Sequence, residues 1–246
     1  MKMLLVRSAI VLLLLLTGFT TNMNAQTNTE KEQALDARQR GIVSVAALTA
    51  TGDLEKLRSA LHGGLDAGLT VNEINEILAQ MYAYAGFPRS LNGISTFMSV
   101  VDERKKRGVK DHEGRSSAPV TAGDKYERGR KTLERLTGQP QSRPAPGFGE
   151  FNPTIDRFLK EHLFADIFDS DVLTNQQREL ATISALAAMT GVVPQLESHI
   201  SMGMNTGLKE AELESAFDLI EKNISRQQAE TARSSLAKIT ASRQKK

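Results

Sequence analysis

The stretch GVVPQLESHISMGMNTGL, Gly191–Leu208, has a counterpart 139 residues earlier in GDLEKLRSALHGGLDAGL, Gly52–Leu69. In the earlier copy Leu54, Leu57, Leu61 and Leu65 recur at i, i+3, i+7 and i+11, and Val193, Leu196, Ile200 and Met204 do the same in the later one. That spacing lines one side of an α-helix. The correspondence extends in both directions. Upstream, LDARQRGIVSVAALTATG parallels LTNQQRELATISALAAMTG, with Asp36 and Gln39, like Thr174 and Gln177, at capping-box spacing before an apolar run. The register differs by one residue because the second copy carries an insertion near Thr190.

Downstream, Gly68 and Gly207 fall where a helix should end, and Thr70 with Glu73 makes another capping box. Ile74, Ile77, Leu78 and Met81 then share a face, matched by Leu213, Ala216, Phe217 and Ile220. Caps, stripes and terminating glycines agree, so the sequence predicts an internal duplication of a helical unit. Between the copies, RKKRGVKDHEGRSSAPVTAGDK reads as a surface connection. YERGRKTLERLTG predicts a helix with Tyr126, Leu133 and Leu136 inward. QPQSRPAPGFGEFNP holds four of the seven prolines and predicts an extended loop. Asn152 then caps a helix from Pro153, with Ile155, Phe158, Leu159 and Leu163 on its buried side. No strand pattern is evident, and the expected class is all-α. The expected organisation is a first repeat over 26–106, a linker with one helix over 107–150, and a second repeat over 151–246.

Residues 1–25 read as a secretory signal peptide, with Lys2 and Arg7 before the apolar run AIVLLLLLTGF and a small residue at Ala25. The competing reading is a retained N-terminal anchor. Either places the working domain outside the cytoplasm, in the periplasm or secreted, and after cleavage no membrane association is expected. Of 31 basic and 29 acidic residues, Lys2 and Arg7 belong to this segment, which leaves 29 of each. A neutral chain without Trp has no electrostatic footprint for nucleic acid. There is no Cys, which excludes disulfides, thiol nucleophiles and thiolate metal sites. Four scattered histidines without i, i+4 pairing give no metal signature, and no cofactor is expected.

The segments LTNQQRELATISALAAMTG, QLESHISMGMNTGL and GLTVNEINEILAQMYAYAGFPRSLNG together resemble the carboxymuconolactone decarboxylase family, whose fold is shared with alkylhydroperoxidase D proteins. The resemblance implies an all-helical fold and a ring-like homo-oligomer, trimeric or hexameric. Alkylhydroperoxidase relatives use a Cys-x-x-Cys pair ahead of a histidine. Aligning that histidine with His199 puts Gln195 and Val192 at the cysteine places, and neither supplies a thiolate, so thiol peroxidase activity is not expected.

What the resemblance leaves is cofactor-free acid/base chemistry on a small carboxylated lactone or keto acid. His199 lies beside the apolar stripe, about 100° round the helix from Ile200, and is the candidate proton donor. Glu179 resembles the family's upstream acid and is the candidate to orient it. Arg178, repeated as Arg40, is a candidate carboxylate anchor; His162, Tyr84 and Arg89 are candidate pocket residues. Each has a plainer reading: His199 as a packing histidine, Glu179 as a first-turn acid favoured by the helix dipole, Arg178 and Arg40 as structural ion-pair partners, His162 as packing. His62, with Arg58 and Asp66 one turn away, reads as a solvated face, and His112 as inert. The first copy has Gly41 and Ala60 where the second has Glu179 and His199, which predicts one active half and one scaffolding half. A non-catalytic binding or assembly protein on the same fold remains the alternative, with a peroxide-related role third. Export itself argues against the namesake pathway, whose intermediates are cytoplasmic.

Overall fold

The structure, a computed structural model, describes residues 35–120 and 122–245. The expected signal peptide lies outside these residues. Among the described residues every regular element is helical, and no helix there is long and apolar enough to cross a membrane. Four helices come first: α1 (Ala37–Thr51), α2 (Leu54–Asp66), α3 (Val71–Ala85) and α4 (Phe87–Lys106). Next come α5 (Lys125–Thr137), the single turn α6 (Phe148–Phe151), and α7 (Pro153–Arg157), which runs into a π-helix over Phe158–Ile167. A second four, α8 (Asn175–Ala188), α9 (Val193–Asn205), α10 (Glu210–Asn223) and α11 (Arg226–Arg243), completes the order.

The two sets of four have similar lengths, 15, 13, 15 and 20 residues against 14, 13, 14 and 18. The capping boxes at Asp36–Gln39, Thr70–Glu73 and Thr174–Gln177 all form, each worth on the order of 1 kcal/mol. α2 and α9 end alike: Gly68 and Gly207 take positive φ, and the next N–H, of Leu69 and of Leu208, donates to Gly64 and to Gly203. The stripes are buried as expected except at their first positions, Leu54 and Val193, which the opening helical turn leaves exposed, and at Met204, which is only partly buried.

One core joins the two sets. α1 packs along α8, and both are buried nearly all round: Arg178 to Ala188 are without exception buried, as are Ile42, Val43 and Val45 to Ala50. Helices rich in Ala and Ser can occupy such a centre because small side chains let neighbouring backbones close in.

The segment between the sets forms a layer of its own. α5 packs along the π-helix so closely that a Cβ on Gly129 would stand 1.7 Å from the Lys160 carbonyl oxygen. A buried knot holds the pair: Lys160 Nζ donates to Asp156 Oδ1 (2.6 Å), Tyr126 Oη (2.9 Å) and the Ser142 carbonyl (3.0 Å), while Tyr126 donates to Asp156 Oδ2. The helix from Pro153, capped by Asn152 as expected, thus pairs with α5 instead of opening the second set. Its burial also departs from the α-helical expectation. Leu163 is buried, but Ile155 and Phe158 are 48% and 52% exposed. The π-helix that begins at Phe158 takes more residues per turn than the α turn that holds Ile155, so Ile155 and Phe158 do not share a face with Leu163.

Candidate functional site

The capping box at Thr174 starts α8 so that Glu179 points at α9. Gly203, one turn beyond His199, lets the two helices approach: a Cβ there would lie 2.7 Å from Ile183 Cδ1 and 3.6 Å from Glu179 Cβ. At this crossing His199 Nδ1 stands 2.8 Å from Glu179 Oε2. Glu179 is fully buried and His199 6% exposed. An ionised carboxylate only accepts, so Nδ1 carries the proton of the bond and Nε2 is left for other chemistry.

The third member comes from the other set of helices. Tyr84, on α3, meets the His199 ring edge-on, with centroids 5.3 Å apart. Burial, and next the Glu179 carboxylate, push its phenol well above the ordinary range, only partly offset by the Thr182 hydroxyl and the Arg178 guanidinium. Tyr84 is therefore a fixed O–H donor at any working pH.

Arg178 is fully buried. Its Nη1 donates to Gln80 Oε1 (3.0 Å), and Nη2 to Glu76 Oε2 (2.7 Å) and the Ser170 carbonyl (2.8 Å). Gln80 returns bonds from Nε2 to the Arg178 carbonyl and Thr182 Oγ1. Both Nη groups thus tie α8 to α3, and the arginine does the structural work of an ion pair. Among the described residues its Nε meets no partner within hydrogen-bond geometry, nor do Glu179 Oε1 and Tyr84 Oη, whose nearest hydroxyl is that of Thr182, and all three atoms are buried. Orphaned buried polar atoms cost roughly 1–3 kcal/mol each, so each of the three calls for an explanation.

Leu136 of α5, Leu163, Phe164 and Phe168 around the π-helix, and Met202 of α9 form a cluster against Tyr84 that roofs this side of the dyad. His162 is elsewhere. It sits half-exposed on the π-helix with Nδ1 3.1 Å from Asp166 Oδ2, in a cleft of about 580 Å³ that neither His199 nor Glu179 lines. Arg89 is exposed at the start of α4, its Nη1 3.8 Å from Met189 Sδ. Of the six residues expected at a site, the fold brings His199, Glu179 and Tyr84 together, sets Arg178 beside them, and leaves His162 and Arg89 apart. Sequence reasoning missed Gln80, Thr182 and Gly203. The signal was faint: Thr182 follows Arg178 by one turn, and Gln80 is a glutamine amid the apolar face of α3.

In comparison with known proteins, the carboxymuconolactone decarboxylase family model matches residues 16–95. That span includes α1, α2, α3 and the start of α4, and it begins inside the segment expected as a signal peptide. No curated protein matches the chain.

Proposed function

The chain carries a carboxymuconolactone decarboxylase family segment, and from that premise we propose a cofactor-independent acid/base enzyme, a lyase acting on a small carboxylated lactone or keto acid. The observation that carries this reading is the buried His199–Glu179 pair, with the unpartnered Tyr84 hydroxyl, Glu179 Oε1 and Arg178 Nε around it. In the proposed reaction the bond from the substrate carbon to its carboxylate breaks and CO₂ leaves. The electron pair passes into the neighbouring carbonyl, and the Tyr84 O–H donates a hydrogen bond to the enolate oxygen. His199 delivers a proton from Nε2 to the carbon, and Glu179 holds the ring and stabilises its protonated form. Solvent then restores the proton. Arg178 Nε is the remaining donor for a carboxylate.

In this reading the two sets of helices are a duplicated unit, supported by their equal order, similar lengths and shared caps. The first half supplies Tyr84 and the second His199 and Glu179. Secretion or periplasmic location and a ring-like oligomer belong to the same proposal. A second reading, a helical binding or assembly protein, is favoured by the apolar roof over the pair.

The test is decarboxylation of 4-carboxymuconolactone, then of a panel of small keto acids, followed by ultraviolet absorbance. His199→Ala should lower kcat by about 10²-fold or more, and Glu179→Gln by less, with helicity unchanged. Absence of turnover by the wild-type protein on every acid would sink the enzyme reading and leave the binding protein.

A further inference from the structure

The cleft beside the π-helix is separate from the His199 pair and has a chemistry of its own. One wall is Tyr82, Ala83 and Gly86 at the end of α3 with Phe87 of α4; the other is Ile155, Phe158, Leu159 and Leu163. At about 580 Å³ it falls within the range of small-molecule sites. Phe87, Phe158 and Ile155 are 61%, 52% and 48% exposed and form an apolar rim. Tyr82 stacks on Phe87 at 4.5 Å and tilts against His162 at 5.3 Å, so the wall offers flat aromatic surface.

The polar groups are Lys125, Glu161, His162 and Asp166. Asp166 accepts from Lys125 Nζ (2.8 Å) and from His162 Nδ1 (3.1 Å). Lys125 is thereby neutralised and the Glu161 carboxylate disfavours an anion inside the cleft, while the Arg157 guanidinium lies over the Phe158 ring at the rim, 5.5 Å from its centroid, and does not line the cleft. In the neutral His162 ring a carboxylate at Nδ1 calls for the proton there, which leaves Nε2 with a lone pair, and no hydrogen bond to Nε2 exists among the described residues. A lone pair calls for a donor.

From this we propose that the cleft is a second binding site, for a neutral aromatic alcohol: the ring lies on Tyr82, Phe87 and Phe158, and its hydroxyl donates to His162 Nε2. The site does not depend on catalysis at His199.

The probe is 2-naphthol, titrated calorimetrically into the full-length protein at neutral pH, with naphthalene-2-sulfonate as the anionic counterpart. Saturable binding at one site per chain is expected, at least tenfold tighter than the sulfonate. Ala83→Trp, which fills the cleft from an exposed helical position, should weaken it at least tenfold. His162→Leu, which keeps the wall but removes the acceptor, should weaken it about fivefold, and His199→Ala should leave it unchanged. Circular dichroism checks that each variant is folded. Equal affinity in Ala83→Trp or His162→Leu, or tighter binding of the sulfonate, overturns the proposal. So does a protein that takes no naphthol because, by sedimentation, copies associate through Phe87 and Phe158.

Discussion

Gly129→Ala separates two opposing effects by sign. Alanine is the better helix former by about 1 kcal/mol, and Gly129 has an ordinary helical φ, so on backbone grounds alone the change stabilises. Packing says the reverse. The new Cβ would stand 1.7 Å from the Lys160 carbonyl oxygen and 2.5 Å from its carbonyl carbon. A carbon meets a carbonyl oxygen at about 3.3 Å or more, so α5 and the π-helix must part by roughly 1.6 Å. The obstacle is backbone, which has no rotamer to escape into. Overpacking of this kind costs roughly 1–3 kcal/mol or more, and parting the helices also strains the Lys160–Asp156–Tyr126 knot, at about 1–3 kcal/mol for a buried group left unpaired. After the propensity gain, the net loss is about 1–5 kcal/mol. At roughly 2–4 °C per kcal/mol for a chain of this size, Tm should fall by about 2–20 °C. The assay is thermal unfolding at 222 nm, wild type beside variant. An unchanged or raised Tm would refute the claimed approach of α5 to the π-helix.

The Asp156 carboxyl gives a pH test. Burial alone would raise it, but hydrogen bonds from Lys160, Tyr126 and the Ala145 N–H outweigh burial and hold it below the ordinary carboxylate range. Its folded pKa being depressed, its stabilisation is complete above the unfolded value near 4 and is lost as pH falls through the folded one. Asp156→Asn should cost about 3–5 kcal/mol at neutral pH and flatten the acid limb of stability below about pH 4; urea titrations of both proteins with the same acid limb would rule this out. The double change Gly41→Glu, Ala60→His should not yield a second dyad. A Cβ on Gly41 would lie 2.9 Å from Leu69 Cδ1 and 3.3 Å from Gly64 Cα, so about 1–3 kcal/mol is lost; urea midpoints check it, and a midpoint at or above wild type contradicts it.

What the sequence made legible was local. Capping boxes, terminating glycines and the stripes of α2, α3, α9 and α10 depend on neighbours within two turns, and they stand where the spacing put them. Glu179 and His199 were legible through a motif. What was not legible depends on distance or on a change of period. Tyr84 reaches His199 from the other set of helices, and Arg178 is consumed by Gln80 and Glu76, about a hundred residues away. Ile155, Phe158 and Leu163 fit one α-helical stripe by letter, but from Phe158 on the helix is π and follows another period. Asp166 stands one turn from His162 and was readable as its partner, yet only the fold shows a cleft beside them.

The proposed duplication has a steric logic. In that alignment Gly41 and Gly64 take the places of Glu179 and Gly203, and Leu69 that of Leu208. Leu69 Cδ1 lies over both Gly41 and Gly64, as Leu208 Cδ1 lies over Gly203, so a carboxylate at position 41 would meet a methyl group. The cleft there, lined by Arg40, Gly41, Ala60 and Gly64, is open to solvent at about 500 Å³, whereas the corresponding side of the second half is roofed by Leu136, Leu163 and Phe164. A carboxylate–imidazole pair is strengthened where water is excluded. The segment between the halves supplies that exclusion to one half alone, and that half carries the pair.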